Sequence, residues 1–299
     1  MPGALHNLRI LDFSRVLAGP FATMLMGDLG ADVIKVERPG AGDDTRSWGP
    51  PFDADGEATY FLSVNRNKRS LALDLTDEGD LRTARSLALR ADALVENFRP
   101  GLMEKLGLGY EELRRENPGL VFCSITGFGH GEGAALPGYD LLVQAVGGLM
   151  SITGSPGGEP QKVGVALVDV LAGLFATVGI LSALRHRELT GRGQRIDVTL
   201  MGALLSALVN QASAYTVAGV VPERMGNAHP SIAPYELFET GEGQLVLAVG
   251  TNRQFADLCA VIEAPELARD ARFATNSDRV AHRRELKSAL EASLASRPA

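Results

Sequence analysis

The sequence predicts an α/β protein with parallel strands, followed by a smaller domain that opens with a β-hairpin. Three observations carry this. Residues 8–37 run strand, loop, helix, strand, the order that joins parallel neighbours through a crossover. Short apolar runs continue to alternate with helical patterns as far as Thr126. Beyond Val220 the composition changes, and a hairpin signal stands around Gly241-Glu242-Gly243.

A chain of 299 residues can bury one or two sizeable cores, and 45% hydrophobic with 22% charged residues is ordinary for a globular protein. A formal charge of −7 argues against nucleic acid or an anionic membrane as the main partner. Cys123 and Cys259 are the only cysteines and lie apart, without a CxxC spacing. That pattern predicts a reducing compartment, no zinc or other metal site and no disulfide framework. The N-terminus lacks a charged region followed by an apolar one, so no signal peptide is expected and a cytoplasmic protein is.

Taken in order, Leu8 to Phe13 (LRILDF) reads as a buried strand. Ala18-Gly19-Pro20 interrupts it, and Phe21 to Leu29 has helical spacing with Gly30 just past its end. Ala31 to Glu37 is a second strand. Glu37 stands where a dinucleotide-binding fold would place its ribose-binding acid, yet the preceding turn supplies one glycine rather than GxGxxG, so the phosphate cradle is missing.

Pro39 to Phe52 is a polar, glycine- and proline-rich loop holding Arg46 and the only tryptophan, Trp48, a placement that suits a cleft or interface. Tyr60 to Asn65 and Ser70 to Asp74 read as strands flanking a basic turn, Arg66-Asn67-Lys68-Arg69, most simply solvated surface. Asp77 to Ala91 reads as a helix and Ala93 to Glu96 as a strand. The loop after it, Asn97 to Gly101, is of the kind that binds ligands at the carboxyl ends of parallel strands. Leu102 to Leu106 and Tyr110 to Glu116 are helical, Leu120 to Thr126 is a strand, and Gly127 to Gly131 is a turn. Tyr139 to Val146 begins a helix, and Gly147 to Pro160 is a glycine-rich connector.

Val163 to Leu184 is a long apolar run interrupted by one charge, Asp169, between Val168 and Val170. Desolvating a carboxylate without a partner costs several kcal/mol, so the charge needs a reason. The run is long enough for a membrane span, but its glycines, its charge and its charged flanks argue against one. In a buried core helix, Asp169 is either a capped or paired structural group or a functional carboxylate in a dry cleft. Arg185, His186 and Arg187 form a basic last turn before Gly191, and Ile196 to Tyr215 reads as one further apolar helix.

The large domain is thus expected over residues 1–215, a linker over 216–226 and a small domain over 227–299. In the small domain, Tyr235 to Phe238 and Gln244 to Val249 form the hairpin. Phe255 to Ile262 and Arg283 to Leu294 are helical.

AGPFATMLMGDLGADVIKVERPGAGDDTR, NRNKRSLALDL, VENFRPGLMEKLGLGYE, GYDLLVQAVGGLMSITG, VGVALVDVLAG and GNAHPSIAPYELF follow one another in this chain. In those stretches it resembles the family III CoA-transferases of the CaiB/BaiF type, which include formyl-CoA and carnitine CoA-transferases. The resemblance runs from Ile10 to about Phe255. It implies an open Rossmann-like α/β large domain, a smaller α+β domain and an interlocked homodimer. It also implies that the small domain here is incomplete, because the family continues well beyond the last residues of this chain.

By the same resemblance, Asp169 falls on the catalytic aspartate, a nucleophile toward an acyl-CoA thioester. Val16, Arg38, Ala72, Asn97, Phe98, Lys105 and Tyr139 match positions that line the coenzyme A site. Arg38 and Lys105 would meet its adenine end and phosphates. Ala228, His229, Pro230 and Ser231 match a flexible loop that closes over the aspartate. That loop is all glycine in formyl-CoA transferases, so its closing motion is in question here. Leu17 replaces a glutamine near the reacting carbonyl, which implies a different acyl group and a larger acceptor acid than formate or oxalate.

Coenzyme A and acyl-CoA would therefore be substrates rather than resident cofactors, with a carboxylic acid as the second partner. Two alternatives stay open. An α-methylacyl-CoA racemase needs a histidine where Gly138-Tyr139-Asp140 has tyrosine, and a carboxylate that Gly250 to Arg253 lacks. A CoA-binding protein without turnover is the other.

Overall fold

The computed structural model describes residues 3–299, which form two compact units. The first comprises residues up to 149 and 162–220; the second comprises 150–161 and 221–299. The segment 150–161, expected within the large domain, therefore clusters with the second unit.

In the first unit the elements run β1 (Arg9–Asp12), α1 (Ala18–Asp28), β2 (Asp32–Glu37), α2 (Thr59–Asn65), β3 (Lys68–Ala72), α3 (Glu78–Ala88) and β4 (Ala93–Glu96). They continue through α4 (Leu102–Lys105), α5 (Tyr110–Glu116), β5 (Val121–Thr126), α6 (Asp140–Val146) and, after α7 (Leu149–Ile152), α8 (Leu167–Thr190), β6 (Arg195–Thr199), α9 (Leu200–Ala207) and α10 (Val209–Ala218). The six strands form one sheet in the order β3-β2-β1-β4-β5-β6, and every pairing is parallel. The chain winds outward from β1 to β3, then returns to lay β4 on the other side of β1. The crevice between the ends of β1 and β4 is thus a topological switch point, where open α/β sheets bind ligands.

The sheet separates two cores. One packs α1 and α8 over Ile10, Val33, Val95 and Cys123; the other packs Ala84, Ala88, Met103 and Leu113 over Leu11, Leu94 and Phe122. Helix α8 is long and apolar enough to cross a membrane, and it buries Val168, Ala172, Ala176, Ile180 and Leu184 in the first core. These residues recur every four positions along one face, the pattern of a core helix. Gly173 lets α8 approach α1, since a Cβ there would stand 2.7 Å from the carbonyl oxygen of Ala18.

Three sequence expectations are corrected. Tyr60 to Asn65 is helical, not extended: its β-branched and aromatic residues suit a strand, but Phe61 and Val64 are buried at helical spacing beneath Arg46 and Met24. The basic turn is partly strand, because β3 begins at Lys68. Lys68 is not solvated surface: its ammonium bonds Asp12 at 3.1 Å, Pro20 O at 2.9 Å and Asn65 Oδ1 at 2.9 Å, inside the protein. Ile196 to Tyr215 is not one helix either. Arg195–Thr199 pairs with β5 as the sheet's last strand, and α9 and α10 meet at 78°, where Val209 takes φ +36°.

In the second unit, β7 (Tyr235–Thr240) and β8 (Gly243–Ala248) form the antiparallel hairpin, followed by α11 (Asn252–Val261), α12 (Asn276–Ala281) and α13 (Arg283–Leu294). Phe238, Phe255, Cys259, Phe273, Leu286 and Leu290 make its core. Arg279 is fully buried there, and its guanidinium donates to Ala233 O, Phe273 O and Asn252 Oδ1.

Candidate active site

Helix α8 has no side-chain cap of its own, because Ala166 occupies the N-cap position. The acceptor comes from α6. Asp140 Oδ2 accepts from the backbone N–H groups of Val168 at 2.7 Å and Asp169 at 3.2 Å. Its Oδ1 accepts from Gln144 Nε2 at 2.5 Å, and Gln144 Oε1 accepts from Val163 N–H at 2.9 Å. An Asp and a Gln four residues apart share one helix face, so a single turn of α6 anchors both ends of segment 163–169.

Asp169 therefore sits in the first turn of α8 with its backbone fixed. Among the described residues, its carboxylate has no hydrogen-bond or ion-pair partner. Burial pushes this carboxyl up to about 7, and the charge of Asp140 pushes the same way. The positive end of the helix favours the anion, so the group is poised between protonation states near neutral pH. Tyr60 feels the same field: burial first, then Asp169 and Asp140, raise its phenol to about 12. Tyr60, like Val16, Ala166 and Val170, packs against the buried cluster of Leu17, Met24 and Val64, and Trp48 meets its ring edge-on at 5.3 Å.

A cavity of about 650 Å³ opens at the carboxyl ends of β1, β4 and β5. Val16, Leu17, Asn97, Phe98, Tyr139 and Asp169 all line it. Its walls are tied together at the switch point: Asn97 Oδ1 accepts from Arg15 N–H at 2.8 Å, and Asn97 Nδ2 donates to Arg15 O at 2.7 Å. Val16 takes φ +70°, a left-handed conformation costly for a β-branched residue, and its N–H donates to Asp43 Oδ1 at 3.3 Å. The loop 127–138 closes on itself where Gly138 meets Gly127; a Cβ on Gly138 would lie 2.7 Å from the Cα of Gly127.

Beneath this turn lies a buried charge network. Asp12 accepts from Ser14, from Thr23 at 2.6 Å and from Lys68 at 3.1 Å. Burial alone would raise Asp12, but Lys68 and Lys35 hold it down at about 2. Lys35 donates to Ser14 O at 2.7 Å and pairs with Asp43 at 2.9 Å. Glu37, the would-be ribose acid, is occupied by Arg46 at 2.7 and 2.9 Å, Ser70 at 2.6 Å and Asp43 N–H at 2.9 Å.

A second cavity, about 320 Å³, is lined by Arg38, Phe98, Leu73, Leu75, Leu102 and Leu106 among others. Phe98 borders both cavities. Ala72 precedes Leu73 at the end of β3, and exposed Lys105 precedes Leu106 at the end of α4; neither lines either of these two cavities. Ala228, His229, Pro230 and Ser231 lie in the second unit, ahead of β7.

Sequence reasoning missed Asp140 and Gln144 as the support of Asp169. The signal was present, in an i, i+4 pair of side chains able to cap a helix that begins at alanine. It also missed Tyr60, hidden by the strand assignment, and the Asp12–Lys68 pair. Among the described residues, no group of three or more His, Cys, Asp or Glu side chains is placed to hold a metal ion. Burial pushes the Cys123 thiol well up, away from nucleophilic use.

Comparison with known proteins gives one consistent result. The family model for CoA-transferase family III matches residues 5–299. A succinyl-CoA:glutarate CoA-transferase of Mus musculus is 48% identical over 292 residues, 97% of this chain and 67% of that protein. An acetyl-CoA:oxalate CoA-transferase of Acetobacter aceti is 45% identical over 299 residues, 99% of this chain and 76% of that protein. A crystal structure of a CaiB/BaiF family protein from Brucella suis superposes with a TM-score of 0.86 at 46% identity, covering 99% of this chain and 79% of that one. The fold with its switch-point cavity, the matches along the whole chain and the carboxylate on α8 agree: this chain belongs to CoA-transferase family III.

Proposed function

We propose that this protein moves coenzyme A from an acyl-CoA donor to a carboxylic acid, with Asp169 as the covalent nucleophile. The observation that carries the reading is a carboxylate lining the larger cavity with, among the described residues, no cation or donor to neutralise it. One carboxylate oxygen of Asp169 attacks the thioester carbonyl, the C–S bond breaks, and CoA leaves as thiolate, giving an acyl-aspartyl anhydride. The thiolate attacks the aspartyl carbonyl and expels the donor acid, leaving an aspartyl-CoA thioester. The acceptor carboxylate displaces CoA to form a second anhydride. Attack of the thiolate on its acceptor carbonyl yields the new acyl-CoA and restores Asp169.

Val16, Asn97, Phe98 and Tyr139 line the cavity that would take the thioester arm. Arg38, in the second cavity, has the charge to meet a phosphate or the adenine ring, and Phe98 links the two spaces. Ala72 and Lys105 stand beside residues lining the second cavity, and the loop Ala228 to Ser231 serves the reacting carboxylate. The relatives named for glutarate and oxalate support a dicarboxylic acceptor. Leu17, an apolar wall residue, favours the longer acid.

Exposed Leu174, Phe175 and Val178 on α8 support burial of that face in a homodimer of this chain. The free thiols of Cys123 and Cys259 suit a reducing, cytoplasmic setting. Incubation with succinyl-CoA followed by hydroxylamine or borohydride quench and peptide mass spectrometry tests the chemistry. A modification on Asp169 is expected, and normal transfer by Asp169→Ala would end the proposal. A panel of acids tests the acceptor: glutarate should exceed oxalate.

A further inference from the structure

The loop 228–233 is held by side chains rather than by a strand ladder. Arg283, the first residue of α13, donates through Nη2 to His229 O at 2.7 Å and Pro230 O at 3.3 Å, and through Nη1 to Ile232 O at 3.4 Å. Asn276, the first residue of α12, donates to Ser231 O at 2.8 Å and accepts from Ala233 N–H at 3.2 Å. Buried Arg279 donates to Ala233 O at 2.7 Å. Within the loop, His229 Nδ1 accepts from Ser231 N–H at 3.1 Å, His229 N–H donates to Tyr235 O at 3.0 Å, and the His229 ring lies 5.2 Å from that of Tyr235.

Every carbonyl from His229 to Ala233 therefore accepts from one of three side chains on the consecutive helices α12 and α13. A glycine-only loop gains mobility from backbone freedom. This loop carries a proline and an intramolecular histidine bond instead, and a planar five-donor guanidinium can satisfy several carbonyls at once where an ammonium cannot.

We infer that Arg283 is a positioning residue that holds the His229–Ile232 loop in one working geometry, with Asn276 as its second anchor. The loop is held preset rather than hinged, and the chain loses reactivity when the clamp is cut even though the loop sequence is intact. The catalytic half of this inference rests on the transferase reading, which gives the loop its task.

Arg283→Met keeps the aliphatic stem and removes all three donated bonds. Hydrogen–deuterium exchange of the folded full chain should show the amides of His229, Ser231 and Ala233 exchanging about tenfold faster, the scale set by losing one or two net hydrogen bonds. Steady-state kinetics should show kcat falling while KM for acyl-CoA stays within about twofold, the split expected when positioning rather than binding is lost. Arg283→Lys should recover part of both. Lys287→Met, which removes contacts to Glu236 at 2.8 Å and Leu237 O at 2.8 Å but none to the loop, should leave loop exchange unchanged.

Unaltered loop exchange in folded Arg283→Met overturns the clamp. Faster exchange with unaltered kcat in an active enzyme overturns the positioning role. A wild type that transfers no CoA yet shows the same exchange difference sinks the transferase reading and leaves the clamp standing.

Discussion

Asp140 accepts a hydrogen bond from the backbone of Asp169 at 3.2 Å while its charge acts against ionisation of the Asp169 side chain. One carboxylate thus fixes the position of another and tunes it. The arrangement resolves a conflict, since the start of a long helix favours an anion while burial disfavours one. Capping by a neighbouring acid satisfies the N–H groups of Val168 and Asp169 without neutralising the Asp169 carboxylate.

The first prediction is kinetic. In the proposed mechanism the ionised form of Asp169 is the nucleophile, and its carboxyl is raised to about 7, so the single-turnover rate of acyl transfer should climb with pH and level off above neutrality. Asp140→Asn keeps an oxygen at the cap but removes the charge. Its pH–rate inflection should move to lower pH. An unchanged inflection would show that Asp140 does not act on Asp169 through charge. Asp140→Ala should in addition lose about 1–2 kcal/mol of stability, the cost of an uncapped helix start, measured by urea unfolding.

The second prediction concerns stability. Asp169 rises from 3.8 to about 7 on folding, so between those values the native state binds a proton that the unfolded state does not. Stability must then fall as pH rises across that window, and the full penalty persists above it. Asp169→Asn cannot ionise and escapes the penalty. Its melting temperature should match wild type near pH 4 and exceed it at pH 8, with activity lost; equal melting temperatures at both pH values would refute the raised carboxyl.

How much of this was legible in the sequence depends on whether the signal was local. The apolar strands β1, β2, β4 and β5 and the core face of α8 announce themselves, because a strand buried on both faces reads as a continuous hydrophobic run. Asp169 stood out as a charge inside such a run. β6 did not, since Arg195 and Asp197 make it look like the polar start of an apolar helix until β5 supplies its hydrogen bonds. The burial of Lys68 was equally hidden. Its partner Asp12 is 56 residues away, and only tertiary folding brings the two together. The support of Asp169 by α6 falls between: the i, i+4 spacing of Asp140 and Gln144 is a local trace, but the helix start it caps lies 29 residues from Asp140 and only folding joins them.

The buried network supplies the third prediction. Lys68→Met leaves Asp12 fully buried with Lys35 as its remaining cation, and breaking a buried pair costs about 3–5 kcal/mol. Urea unfolding should show a loss of that order. Asp12→Asn combined with Lys68→Met removes both charges and should cost less than the sum of the single changes. Strict additivity would mean that the pair is not coupled.

The last prediction concerns Val16, which holds φ +70° at the wall of the larger cavity. A β-branched residue in this region costs roughly 1–2 kcal/mol, and its N–H bond to Asp43 together with the Asn97 clasp on Arg15 keeps it there. Val16→Ala removes side-chain contact but retains the strain, whereas Val16→Gly removes both. Glycine should therefore give the more stable protein of the two by chemical unfolding, although it has more chain entropy to lose. Both variants should weaken acyl-CoA binding by about five- to tenfold in calorimetry, the worth of roughly 1 kcal/mol of apolar contact. If Val16→Ala proves the more stable variant, the turn is not strained. If both bind acyl-CoA as wild type does, Val16 is not part of the thioester wall.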